Sequence, residues 1–138
     1  CVSMGNPHAV CLVDDWAALP DELFPAGAEK SLSTLRIDLP GPFFETHPVF
    51  LEKTNVEFAS VTDEGIAMRV WERGCGETLA CGTGACATNT AACLTGRAGR
   101  ENDLMLSGGL LHICWNEDGT ISMTGPATES FSGTIVLP

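Results

Sequence analysis

Basic residues are scarce in this chain. Seven lysines and arginines stand against eighteen acidic residues in 138, a formal charge of −11. Such a surface repels phosphate backbones, which argues against nucleic acid as a partner. Only Lys30 and Lys53 are lysines, and neither lies in a setting suited to a Schiff base, so a pyridoxal-dependent route has no support. No apolar run approaches the ~18–20 residues of a membrane-spanning helix, so no membrane contact is expected. A signal peptide, a block of like charge, a low-complexity tail, an internal repeat and a linker are all missing. So are a Cys-x-x-Cys pair and the Cys/His spacing of a zinc finger, and no metal is expected. The chain begins at Cys1 rather than Met, as a fragment or a trimmed chain would.

What is present fits one folded soluble domain. Hydrophobic residues make up 44% and charged residues 18%, which is too apolar for a disordered chain. The acidic residues are dispersed and read as a solubility feature. Seven cysteines are present: Cys1, Cys11, Cys75, Cys81, Cys86, Cys93 and Cys114. The odd count leaves at least one thiol unpaired within the chain. Several lie among small or apolar residues, where cysteine acts as a small hydrophobe. A reducing, cytoplasmic location is expected.

Periodicity predicts many short strands and one helix. His8 to Val13 is an apolar strand, and Asp14 to Ser33 is a loop with a helical turn around Pro20 to Phe24. Arg36 to Leu39 reads as a short strand ended by Pro40-Gly41-Pro42. Thr54 to Val61 and Ile66 to Arg73 alternate around an Asp63-Glu64-Gly65 turn, which is a hairpin signal. Val56 and Phe58 share one face of the first run; Asn55 and Glu57 share the other. Thr83 to Thr95 is a helix without a charged residue, enclosed on all sides, with Gly96 as its stop. Strands follow at Leu104 to Leu106, Leu110 to Trp115, Thr120 to Met123 and Thr134 to Leu137. The expected class is α+β, a mixed or antiparallel sheet curled around that helix.

The stretch from Gly76 to Asn89, GETLACGTGACATN, places Cys81 at the helix start beside two glycines. Backbone N–H groups there lack intrahelical partners and carry partial positive charge. They can bind a carboxylate, and Gly82 and Gly84 let it approach closely. A thiol in that field is expected to have a lowered pKa. The arrangement suits proton abstraction beside a carboxylate, with the N–H groups stabilising the enediolate and the thiol acting as base or acid. A tight turn with a small residue at Cys81 explains the same spacing. His8 entering a strand, Asn55 at a strand start and Glu72-Arg73 at a strand end likewise have ordinary structural readings. Cys86 and Cys93, seven apart, share one helical face and read as packing.

The motifs together resemble the C-terminal half of diaminopimelate epimerase. The matching stretches, in family order, are MGNPH (Met4 to His8), ETHPVF (Glu45 to Phe50), TNVEF (Thr54 to Phe58), ERGCGETLACGTGACA (Glu72 to Ala87) and MTGPA (Met123 to Ala127). The resemblance implies a domain whose sheet curls into a barrel-like layer around a central helix. It also implies a second, similar domain, and a substrate held between the two. One cysteine from each domain would act on opposite faces of the α-carbon, interconverting LL- and meso-diaminopimelate without pyridoxal or metal, on the route to lysine and peptidoglycan. Carried over residue by residue, Cys81 is the catalytic cysteine of this half. Gly82 and Thr83 supply donors to the reacting carboxylate, and Asn6 and Asn55 hold the distal end of the substrate. Arg73 binds the distal carboxylate, Glu72 lines the reacting centre and His8 supports it. A forked guanidinium suits a carboxylate.

The family's N-terminal half and its own cysteine motif are missing here. The chain by itself is therefore expected to be inactive and to expose an apolar face where that domain would dock. A homodimer is left open. The segment from Trp16 to Leu35 matches no motif and is expected to lie away from the chemistry. Two other readings stay open: an amino-acid racemase of the same fold, and a non-catalytic carboxylate-binding module, which a thiol of ordinary pKa at Cys81 would favour. A redox pair of Cys75 with Cys81 and a zinc-binding role come after these.

Overall fold

The computed structural model describes residues 1–137. Eight strands form one sheet: β1 Val2–Ser3, β2 Pro7–Leu12, β3 Asn55–Thr62, β4 Gly65–Glu72, β5 Gly76–Thr78, β6 Glu101–Leu106, β7 Gly109–Trp115 and β8 Ile121–Thr124. Two helices accompany it, α1 Pro40–Glu45 and α2 Gly82–Leu94, with single 3-10 turns at Trp16–Ala18 and Asp21–Leu23. The strand order is β1-β2-β3-β4-β6-β7-β8. β2 runs parallel to β3 and β4 parallel to β6; the other pairs are antiparallel. One edge of β4 is shared: Ile66 and Ala67 pair with β6, and Val70 to Glu72 pair with β5. The sheet is thus mixed and curls around α2, as the sequence predicts.

α2 can be enclosed because its side chains are small. Ala85, Ala87, Thr88, Asn89 and Ala92 are all fully buried. Helix and sheet close on Ala59, Ile66, Met68, Val70, Leu104 and Ile113, each large member contributing ~1.5–3 kcal/mol by its burial. The helix ends at Gly96, whose φ of 71° lets Arg97 N–H reach the Ala92 carbonyl at 2.9 Å. A second core covers the other face of β3 and β4. Val56 and Phe58 meet Phe24, Leu35 and Ile37 there, with Trp16, Leu19 and Trp71 packed around them. The indole of Trp16 donates to Ser60 Oγ at 2.7 Å, and Arg69 donates to the Leu32 and Leu35 carbonyls at 2.9 and 2.7 Å. The segment from Trp16 to Leu35 is therefore a cover on the face of the sheet opposite α2.

Two expected strands are corrected. Arg36 to Leu39 is a turn leading into α1, with Arg36 N–H bonded to Leu23 O at 2.8 Å. Its alternating apolar residues reflect burial of Leu35 and Ile37 in the second core, not a strand ladder. Pro40-Gly41-Pro42 starts a helix instead of ending a strand, since the first helical turn needs no N–H from proline. Glycine is required at 41: a Cβ would lie 2.6 Å from the Trp71 ring. Thr134 to Leu137 forms no strand and lies exposed, with Val136 90% accessible. A β-branched run needs a neighbouring edge to pair with. β1 and β5 are too short for a periodic signal and were not anticipated.

Candidate active site

Strand alternation and one helix start bring the predicted residues together. On β3, Asn55, Glu57 and Ala59 alternate with Val56 and Phe58, and the register pairs His8 of β2 with Asn55. His8, Asn55 and Glu57 are buried. Cys81 has extended backbone (φ −139°) and caps α2, its sulfur accepting Gly84 N–H at 3.4 Å. The Thr83 hydroxyl lies 3.6 Å from the same sulfur. Asn6 Nδ2 donates to Thr83 Oγ1 at 3.3 Å, and Asn6 Oδ1 lies 3.1 Å from His8 Nε2. His8 Nδ1 in turn lies 2.6 Å from Glu57 Oε1, with both side chains at 0% exposure. A continuous polar chain thus runs from Glu57 through His8, Asn6 and Thr83 to Cys81.

The expectation of a lowered thiol pKa is corrected. Burial pushes the Cys81 thiol above its ordinary value. The Thr83 hydroxyl and Gly84 N–H oppose that rise, and the nearby acidic groups, Glu72 before Glu57, add to it wherever they are ionised. Enclosure of the sulfur is the largest cause of the rise. The Glu57 carboxyl is also pushed up, chiefly by its own burial, with His8 opposing.

A second group surrounds the β4–β5 turn. Asn55 braces it, donating to Pro7 O and accepting from Arg73 N, both at 2.9 Å. Glu72 accepts from Thr78 Oγ1 at 2.5 Å. Arg73 is exposed, with one guanidinium N–H on Glu52 O at 2.9 Å. The structure therefore joins Asn6 and His8 to Cys81 and Thr83, and Asn55 to Arg73. Gly82 is packed against the MTGPA motif: a Cβ there would lie 3.1 Å from Met123.

Glu57 and Glu45 carried no assigned role in the sequence reading. Glu57 lies in TNVEF, and its alternation with Val56 and Phe58 was the available signal. Glu45 opens ETHPVF; its carboxylate accepts from Trp71 Nε1 at 2.7 Å and Gly74 N–H at 3.0 Å, with Lys53 Nζ at 3.6 Å. It fastens the turn that presents Arg73. A concavity of about 790 Å³ near Asp21, Phe24, Lys30 and Arg36 shares no residue with either group. All seven cysteines are free thiols. Among the described residues, no helix is long and apolar enough to cross a membrane, and no group of three or more His, Cys, Asp or Glu side chains could hold a metal ion.

The profile of the family described as diaminopimelate epimerase matches residues 1–129. A diaminopimelate epimerase of Synechococcus elongatus is 51% identical over 137 residues, covering 99% of this chain and 43% of the relative. Those of Phocaeicola vulgatus and Methanococcus maripaludis are 49% and 50% identical, over 99% and 98% of this chain and 44% of each relative. The chain thus spans less than half the length of these relatives. Among solved structures, a phenazine biosynthesis PhzC/PhzF protein from Clostridium difficile superposes with a TM-score of 0.53 at 17% identity. That match covers 81% of this chain and 35% of the other, and it shows a shared fold.

Proposed function

The chain belongs to the diaminopimelate epimerase family, and from that premise we propose that it forms the C-terminal half of an epimerase interconverting LL- and meso-diaminopimelate. The observation that carries this reading is the placement of the Cys81 sulfur at the α2 N-cap, in contact with Gly84 N–H and the Thr83 hydroxyl. The unpaired N–H groups of the first helical turn would hold the reacting carboxylate and stabilise the enediolate. In one direction of the interconversion the Cys81 thiol would return the proton, and in the other its thiolate would take it. A thiolate from a second, N-terminal domain would take the α-proton from the opposite face. Arg73, held by the Asn55 and Glu45 braces, would receive the distal carboxylate. Glu72 would line the reacting centre.

One thiol cannot invert a stereocentre by a two-base route, so this chain alone is inactive in this reading. Leu79 and Met123, 70% and 52% exposed, lie near the start of α2 and would be covered by the absent domain. Seven free thiols fit a reducing, cytoplasmic setting. The test is solvent deuterium uptake at the α-carbon of LL-diaminopimelate. The chain is assayed alone, then with the remaining segment of the Synechococcus relative, with association checked and Cys81→Ala as control. Uptake accompanied by inversion is expected only in the mixture, and the Cys81→Ala control is expected to lose the inversion. No uptake despite proven association would overturn the reading.

A further inference from the structure

Glu57 carries no role in the proposed chemistry, yet with His8 it ends the polar chain leading to the sulfur. Each hydrogen bond of that chain has a direction. Asn6 Nδ2 can only donate, so Thr83 Oγ1 accepts from it and its own hydrogen is left to point at Cys81 Sγ. Asn6 Oδ1 can only accept, so His8 Nε2 must carry a hydrogen. His8 Nδ1 and Glu57 Oε1, 2.6 Å apart, then share one proton between a carboxyl and a ring nitrogen. Glu57 Oε2 is buried without a hydrogen-bond partner among the described residues. A lone buried carboxylate with an orphaned oxygen is costly, and a shared proton relieves that cost. The pair is neutral overall wherever that proton rests.

We propose that Glu57 is a positioning residue: acting through His8 and Asn6, it fixes the direction in which the Thr83 hydroxyl donates to the Cys81 sulfur. With the shared proton in place, His8 Nε2–H turns the Asn6 amide, and the amide turns the hydroxyl. In the opposite polarity Nε2 would accept, Asn6 would reverse, and Thr83 would donate to Asn6 instead of to sulfur. The packing at Gly84 supports a built contact. A Cβ there would lie 2.8 Å from Glu57 Oε1 and 3.3 Å from Cys81 Sγ, so glycine is what lets the carboxyl reach under the first turn of α2.

This inference rests on the reading of Cys81 as a proton-transfer thiol, but its test uses neither substrate nor turnover. The first measurement is imidazole nitrogen NMR of the chain labelled with ¹⁵N-histidine, with His8 assigned using His47→Gln and His112→Gln. His8 Nε2 is expected to be protonated across neutral pH. The second is the pH profile of Cys81 alkylation, mapped by mass spectrometry, in the unaltered chain and in Glu57→Leu. Leucine is chosen because glutamine could satisfy Nδ1 with either end of its amide. The charged or titratable groups around the sulfur are Glu72 from β4, Glu57 from β3 and Cys86 of α2, with His8 behind Glu57. Removing a merely repulsive Glu57 carboxylate would move the Cys81 midpoint down. Removing the director of a neutral pair moves it up, by about one pH unit.

An unprotonated His8 Nε2 would overturn the proposal, and so would an unchanged or lowered Cys81 midpoint in a cooperatively folded Glu57→Leu chain. If that variant does not fold, the nitrogen measurement decides alone. Failed deuterium uptake with both readouts as expected would count against the epimerase reading only. Active protein with unprotonated Nε2 would count against this inference only.

Discussion

At Gly84 the first turn of α2 lies against the Glu57 carboxyl and the Cys81 sulfur, leaving no room for a methyl group. In an open helix Gly→Ala stabilises by ~1 kcal/mol. Here Gly84→Ala is expected to destabilise by ~1–3 kcal/mol through overpacking, measured by urea unfolding; a gain in stability would show the contact to be loose. Thr83→Val removes a hydroxyl that opposes the rise of the thiol pKa. The alkylation midpoint of Cys81 in that variant is expected to move further up, and an unmoved profile would mean that the 3.6 Å contact does not act on the sulfur. The stretches MGNPH and GETLACGTGACATN singled out Cys81, Thr83, Asn6 and His8, and the structure brings these four side chains together. The protonation preference of Cys81 was not legible, because sequence shows the helix start but not how deeply the sulfur is enclosed. Glu57 was hidden for a related reason: a carboxylate in an alternating strand reads as a solvent face until a helix is laid over it.

Element by element, the joints between strands and helices carry the stability. Glu45 at the end of α1 accepts from Trp71 and Gly74, and the Trp71 bond is the first cause holding its carboxyl below the ordinary range. A depressed folded-state pKa gives stability that is present above the unfolded value, near ~4.3, and is lost as pH falls through the folded value. Glu45→Gln is expected to flatten the acid limb of the stability–pH curve and to speed hydrogen exchange at the Gly74 amide. An unchanged acid limb would contradict the bracing role. Inside α2, Thr88 Oγ1 is buried without a partner among the described residues. Thr88→Val keeps the shape and removes the hydroxyl, so stability is expected to hold or rise by ~1 kcal/mol in thermal unfolding; a clear loss would reveal an unseen bond. The β3–β4 hairpin, α2 and its Gly96 stop were readable from alternation, small residues and turn chemistry. α1 was not, because Pro40-Gly41-Pro42 looks like a breaker unless the tertiary setting makes it a first turn. Thr134 to Leu137 failed in the other direction: local β preference does not provide an edge to pair with.

For the whole molecule, the mixed sheet curled on α2 follows from a helix with no charged face and strands of both short and alternating type. Which face of the sheet each loop covers did not follow, since the segment from Trp16 to Leu35 carries no periodic signal for its role over Val56 and Phe58. The chain matches less than half of its relatives' length, and its cluster holds one thiol poised at a helix start. The central claim is that this thiol serves one face of the α-carbon and another thiol serves the opposite face. The most direct measurement replaces the matching 137 residues of the Synechococcus relative with this chain, introduces Cys81→Ala, and follows deuterium exchange and inversion separately. Both LL- and meso-diaminopimelate are used as starting material, beside the unmutated fusion. The unmutated fusion is expected to exchange and invert both stereoisomers. The Cys81→Ala fusion is expected to exchange one stereoisomer with retention and leave the other unexchanged, with no inversion of either. Continued inversion in the Cys81→Ala fusion would contradict the two-thiol assignment.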